Sequence, residues 1–212
     1  MADLVREIPG PSGPLEVLID RPNGDPRTAV VFAHPLPTEG GTMHTKVVFQ
    51  SAKALTRIGC VVLRFNFRGV GRSAGEWGHG RGELDDYRAA VDFMALQHPG
   101  MEMWAAGFSF GSYIATRVGA DDDRVCALIA IAPPVHKYEF AAVKASAKPK
   151  FIIHGEADEL ISLKMVRAFY ATLPEPKEFV EIDSANHLFD GQASEVGEAL
   201  EGLLGDFSCK TQ

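Results

Sequence analysis

The chain predicts an α/β protein: a mostly parallel, twisted sheet with helices on both faces. Three observations lead there. Short apolar runs such as TAVVFA, CVVLRFNF and VCALIAIA recur along the sequence. Segments with apolar residues at helical spacing alternate with them. Glycine- and proline-rich pieces separate the two kinds of segment. A strand that is apolar at every position is buried on both faces, which requires covering helices on each side.

The elements follow in order. PLEVLID (14–20) and TAVVFA (28–33) read as opening strands joined through RPNGDP, where Asn-Gly and Pro signal a turn. TKVVFQSAKALTRIG (45–59) has helical spacing and stops at glycine. CVVLRFNF (60–67) is a buried-strand run, followed by the loop RGVGRSAGEWGHGRG. ELDDYRAAVDFMALQ (83–97) is a helix with an acidic start, ended by His98-Pro99-Gly100. MEMWAAG (101–107) is a strand and SYIATRVG (112–119) a helix. VCALIAIA (125–132) and KFIIHG (150–155) are strands, LKMVRAFYATL (163–173) a helix and KEFVEID (177–183) a strand. QASEVGEALEGLLGDF (192–207) closes the series as an amphipathic helix. With no repeat or linker-sized break, residues 1–212 are expected to form a single domain.

Composition narrows the function. Hydrophobic residues make up 46% and charged residues 23%, which excludes a disordered or collagen-like chain. The net charge is −7 and the basic residues are scattered, so no nucleic-acid partner is expected. MADLVREIPG lacks the layout of a signal peptide, and no apolar run nears the roughly 18 residues of a membrane span. Cys60, Cys126 and Cys209 are widely spaced and odd in number. They are expected as free thiols in a reducing compartment, the cytoplasm.

In such sheets the chemistry sits at the carboxyl ends of the strands. There, Gly107-Phe108-Ser109-Phe110-Gly111 stands between a strand and a helix. This is G-x-S-x-G in its proper setting, a turn so sharp that its flanking positions must lack side chains. A serine hydroxyl needs a base, and the base an orienting carboxylate. Asp158 follows the strand KFIIHG and His187 follows KEFVEID, giving the order Ser, Asp, His. Glu156 and Asp183 are rivals for the carboxylate; Asp158 is preferred because Leu160 and Ile161 could anchor its loop. Among the other histidines, His34 and His154 end strands and are expected to bond local backbone. His44, His79, His98 and His136 fall in loops or helix starts.

An acyl-transfer oxyanion needs donors. The amide of Phe110 is one candidate. The loop His34-Pro35-Leu36-Pro37 supplies a second, because the prolines leave Leu36 as its free amide. Other signals carry no site. RGVGRSAG lacks the spacing of a phosphate loop, and Arg68 and Arg72 are expected to brace the loops. Asp121-Asp122-Asp123 reads as solvated carboxylates, and no Cys/His cluster has zinc spacing, so no metal is expected.

With these motifs placed, the chain resembles the α/β-hydrolase superfamily over about residues 13 to 207. It is most similar to the cap-less branch of dienelactone hydrolases and related serine esterases. The resemblance rests on HPLPTEGGTMHTKVV, LRFNFRGVGRSAGE, GFSFG, HGEAD and ANHLF. It implies a cofactor-free hydrolase with Ser109, Asp158 and His187 as catalytic triad and Leu36 and Phe110 as oxyanion donors. Dienelactone hydrolases use a cysteine nucleophile, so Ser109 points instead to a general serine esterase acting on small-molecule esters. Only residues 133 to 149 separate two strands where lids of this fold insert, so no cap domain is expected. The cleft should be open and shallow, lined by Trp77, Phe108, Pro134, Leu160, Ile161 and Leu188 beside the oxyanion residues. Lys46, Arg68 and Arg72 are near enough to leave acidic substrates open. Thioesters, amides and peroxide chemistry use the same machinery, and a silent ligand- or partner-binding member of the fold is the reading from a different class.

Overall fold

A computed structural model describes residues 6–211. The first five residues, half of the stretch read for a targeting signal, lie outside the described residues. The elements are β1 (Glu7–Ile8), β2 (Leu15–Asp20), β3 (Thr28–Ala33), α1 (Lys46–Arg57), β4 (Cys60–Phe65), α2 (Gly82–Gln97) and β5 (Glu102–Phe108). They continue as α3 (Phe110–Asp121), β6 (Val125–Ile131), α4 (Ala141–Ala145), β7 (Lys150–Gly155), α5 (Leu163–Ala171), β8 (Lys177–Ile182) and α6 (Ala193–Leu204). The strands form one sheet in the order β1-β2-β4-β3-β5-β6-β7-β8. From β4 to β8 every pairing is parallel; β1 and β2 are antiparallel at one edge. β2 and β3 are neighbours in sequence but do not pair, because β4 lies between them.

Successive residues of a strand point to opposite faces, and the two cores sort accordingly. Val30, Phe32, Trp104 and Ala106 meet Val47 and Val48 of α1 and Val196 and Leu200 of α6. Ala29, Val31, Met103 and Ala105 meet Tyr87 and Val91 of α2, Ile114 of α3 and Val166 of α5. The central strands are apolar at most positions because both faces are covered; Arg64 of β4 and Lys150 and His154 of β7 are buried exceptions. β8, near the edge, is only half-buried. Between β6 and β7 the chain forms only the five-residue helix α4, so there is no cap. No helix among the described residues is long and apolar enough to cross a membrane.

The cysteines depart from expectation. Cys126 of β6 and Cys209 in the C-terminal turn form a disulfide, and Cys60 alone is free and buried. Their sequence separation of 83 conceals what the fold brings together. Phe207 packs on Trp104 and Phe151, and the Glu102 carboxylate accepts from Ser208 and from the Cys209 and Lys210 amides, which carries Cys209 back to the sheet. The expectation of three free thiols is therefore corrected.

The loop after β4 is braced by charge. Arg68 forms a forked ion pair with the fully buried Asp86 of α2, and Arg72 pairs with Glu7. Arg64 pairs with Asp20 and donates to the Met43 carbonyl.

Candidate active site

The elbow between β5 and α3 shows why its glycines are required. A Cβ on Gly107 would lie 2.3 Å from the Gly111 backbone, and one on Gly111 would lie 2.4 Å from the carbonyl oxygens of Ala33 and His34. No side chain fits either gap. Between them Ser109 is held at φ 51°, a conformation L-residues avoid. Its own amide bonds to the Ile131 carbonyl, and its carbonyl receives the Ser112 hydroxyl. The hydroxyl of Ser109 is thereby lifted off the end of the sheet.

The loops after β7 and β8 bring the other two groups to it. Ser109 Oγ lies 3.0 Å from His187 Nε2, and His187 Nδ1 lies 2.7 Å from Asp158 Oδ2. Asp158 Oδ1 accepts the amides of Leu160 at 2.9 Å and Ile161 at 2.8 Å. The ionised carboxylate can only accept, so His187 donates from Nδ1 and leaves Nε2 free to receive the serine proton. Burial pushes the Asp158 carboxyl up, but the hydrogen bonds from His187 and the Ile161 amide outweigh it, and the net shift is downward. It stays ionised and able to hold the imidazole. Of its rivals, Glu156 accepts the Ser184 amide and Asp183 is exposed; neither bonds His187.

Behind the cleft, His34 is fully buried. Its Nδ1 lies 2.7 Å from the Pro35 carbonyl, and its Nε2 accepts the Phe67 amide at 3.1 Å. That pattern requires a neutral ring donating from Nδ1. Burial lowers its pKa from 6.5 to about 4, against an opposing bond to Pro35. Protonation of the unfolded chain is then favoured, so stability is full above pH 6.5 and is lost as pH falls from about 6.5 towards about 4. The difference is worth about 3 kcal/mol. We predict that urea midpoints fall between pH 7 and pH 4.5, less steeply in His34→Gln; equal slopes would reject the neutral assignment. His154, also depressed by burial, adds to the same window. It bonds the Ile161 carbonyl, as expected of a strand-end histidine.

Around Ser109 opens a cleft of about 680 Å³, within the range of small-molecule sites. Its walls include Leu36, Phe110, Pro134, Leu160, Ile161 and Leu188. Trp77 and Phe108 are not part of them. Trp77 packs edge-on against Phe110, 5.2 Å away, and so sits behind the wall. Phe108, the last residue of β5, points into the core against Phe189 and the His187 ring. The period-2 alternation that aims its neighbours into one face turns Phe108 to the other, a parity legible in the strand. The cleft also holds His136, which the sequence reading set aside as a loop histidine, and Glu39, Lys137 and Glu159, which it did not single out; loop side chains carry no periodic signal. Glu159 accepts the His187 amide. Among the described residues neither the Leu36 nor the Phe110 amide has a hydrogen-bond partner.

Known proteins similar to this chain identify its family and fold. A family model described as serine aminopeptidase, S33 (Hydrolase_4) matches residues 24–147. An α/β serine hydrolase homologue from Coxiella burnetii is 40% identical, with a TM-score of 0.91 and coverage of 96% of this chain and 98% of that one. An α/β serine hydrolase without lid from Xanthomonas campestris is 38% identical, with a TM-score of 0.86 and coverage of 92% and 90%. An uncharacterised protein of Rickettsia prowazekii is 32% identical over 204 residues, covering 92% of this chain and 86% of its own. Shared fold, lid-less architecture and family match lead to one conclusion: the chain belongs to the Hydrolase_4 (serine aminopeptidase, S33) family of the α/β-hydrolase superfamily.

Proposed function

We propose that the protein hydrolyses small to medium carboxylic esters through an acyl-serine intermediate. The observation that carries this is the continuous chain of hydrogen bonds from Ser109 through His187 to Asp158 at the floor of an open, largely apolar cleft. Ser109 attacks the ester carbonyl as its proton passes to His187 Nε2. The amides of Leu36 and Phe110 stabilise the oxyanion. The imidazolium, held by Asp158, then protonates the leaving alcohol. Water repeats the sequence on the acyl-enzyme, and the serine is released. Pro134, Leu160, Ile161 and Leu188 form the apolar walls for the substrate. No step requires a metal or cofactor.

The test is turnover of p-nitrophenyl butyrate together with labelling by a fluorophosphonate. A protein inert to both would favour a silent binding role. The family description also makes amides worth reading, so amino-acid p-nitroanilides belong in the same panel, beside thioesters.

The oxyanion assignment has its own test. Leu36 sits at φ −54° and ψ 120°, which proline accommodates. Leu36→Pro therefore deletes one N–H with little change in backbone. We expect kcat to fall by about 10² to 10³, the usual worth of one donor, while Leu36→Ala, which keeps the amide, loses far less. Equal losses in the two variants would remove Leu36 from this role.

A further inference from the structure

Beyond the main cleft lies a second groove of about 270 Å³, on the other side of the segment that follows β6. Its walls include Val135, Phe140, Met165 and Phe169, with Glu139 and Lys144 also lining it. Among the described residues Tyr138 alone lines both spaces. Its ring stacks on Tyr113, with centroids 4.5 Å apart and planes 18° apart, and lies 5.8 Å from Phe110, the residue after the serine. Tyr113 in turn meets Phe140, which packs on Phe169 in the second groove. The ring is thus held by aromatic faces. Its hydroxyl makes no hydrogen bond among the described residues, and the Lys137 ammonium lies 5.6 Å from the ring centroid, so what holds the side chain acts on its ring.

We propose that Tyr138 is the partition that sets how long a chain the site accepts. This rests on the esterase reading above. A chain leaving Ser109 along Phe110 meets the face of Tyr138 and stops there. Only a chain that displaces the ring, or a protein lacking it, gains the apolar part of the second groove, Val135, Phe140, Met165 and Phe169. The substrate class is accordingly esters whose chain ends within the first cleft. The partition is held through its ring, by Tyr113, Phe110 and the Lys137 ammonium, so its size, rather than its hydroxyl, determines the limit.

The experiment compares kcat/KM for p-nitrophenyl butyrate and decanoate. Each methylene that gains burial is worth about fourfold, so Tyr138→Ala should raise the decanoate-to-butyrate ratio at least about tenfold. Tyr138→Phe should keep the wild-type ratio within about twofold, because the ring remains. Ala168 lines the second groove only and is exposed. Ala168→Trp should therefore cancel the gain when added to Tyr138→Ala and leave the ratio unchanged alone. If Tyr138→Ala does not fold, Tyr138→Leu is read in the same way. An active wild type whose ratio is unmoved by either substitution, or a gain that Ala168→Trp leaves intact, overturns the partition and spares the esterase reading. A wild type inert towards the whole ester series overturns both.

Discussion

Ser109→Ala is expected to lower kcat for p-nitrophenyl butyrate by a factor of about 10⁶, the loss seen when a triad nucleophile is removed. The physical reason is local. The hydroxyl is the atom that bonds to the acyl carbon, and neither His187 nor water can occupy its place without the proximity the elbow provides. Alanine should fold, because the strained φ of 51° is imposed by the glycines on either side and by the Ile131 carbonyl rather than by the hydroxyl. The unfolding midpoint should change little, and fluorophosphonate labelling should vanish. Residual turnover above a hundredth of wild type would mean that another residue is the nucleophile.

Asp158→Asn should cost about 10⁴ in kcat, a smaller but still large loss, with the fold intact. The outcome depends on which side of the amide faces which partner. Asp158 Oδ1 accepts two main-chain amides, so the asparagine oxygen is held on that side. Its NH₂ then faces His187 Nδ1, which must become an acceptor and move its proton to Nε2. An imidazole protonated at Nε2 cannot take the proton of Ser109, 3.0 Å away. Geometry survives and the base is lost. Glu156→Gln and Asp183→Asn serve as controls, since neither carboxylate bonds His187. If either control fell as far as Asp158→Asn, the carboxylate would be wrongly assigned.

The elements expected from periodicity largely form, with boundaries shifted by one to three residues at helix starts and ends. The geometry of the elbow was equally legible, because Gly107 and Gly111 answer a steric demand that the neighbouring backbone makes within a few residues. Two items were not. β1 is a two-residue strand whose pairing depends on β2 arriving beside it, and so has no sequence pattern of its own. The split of β2 from β3 by β4 is a crossover, and turn residues between the first two strands do not encode which strand later enters the gap.

Taken alone, the amino-acid order determined the strand–helix alternation, the class of fold and the sharp, glycine-flanked turn that carries Ser109, since all follow from hydrophobic spacing and backbone sterics within short windows. Only the tertiary structure decided which carboxylate meets His187, that Trp77 and Phe108 lie behind the cleft, and that Cys126 reaches Cys209. Those outcomes depend on side-chain direction and on residues far apart in the chain, and packing between distant segments sets both.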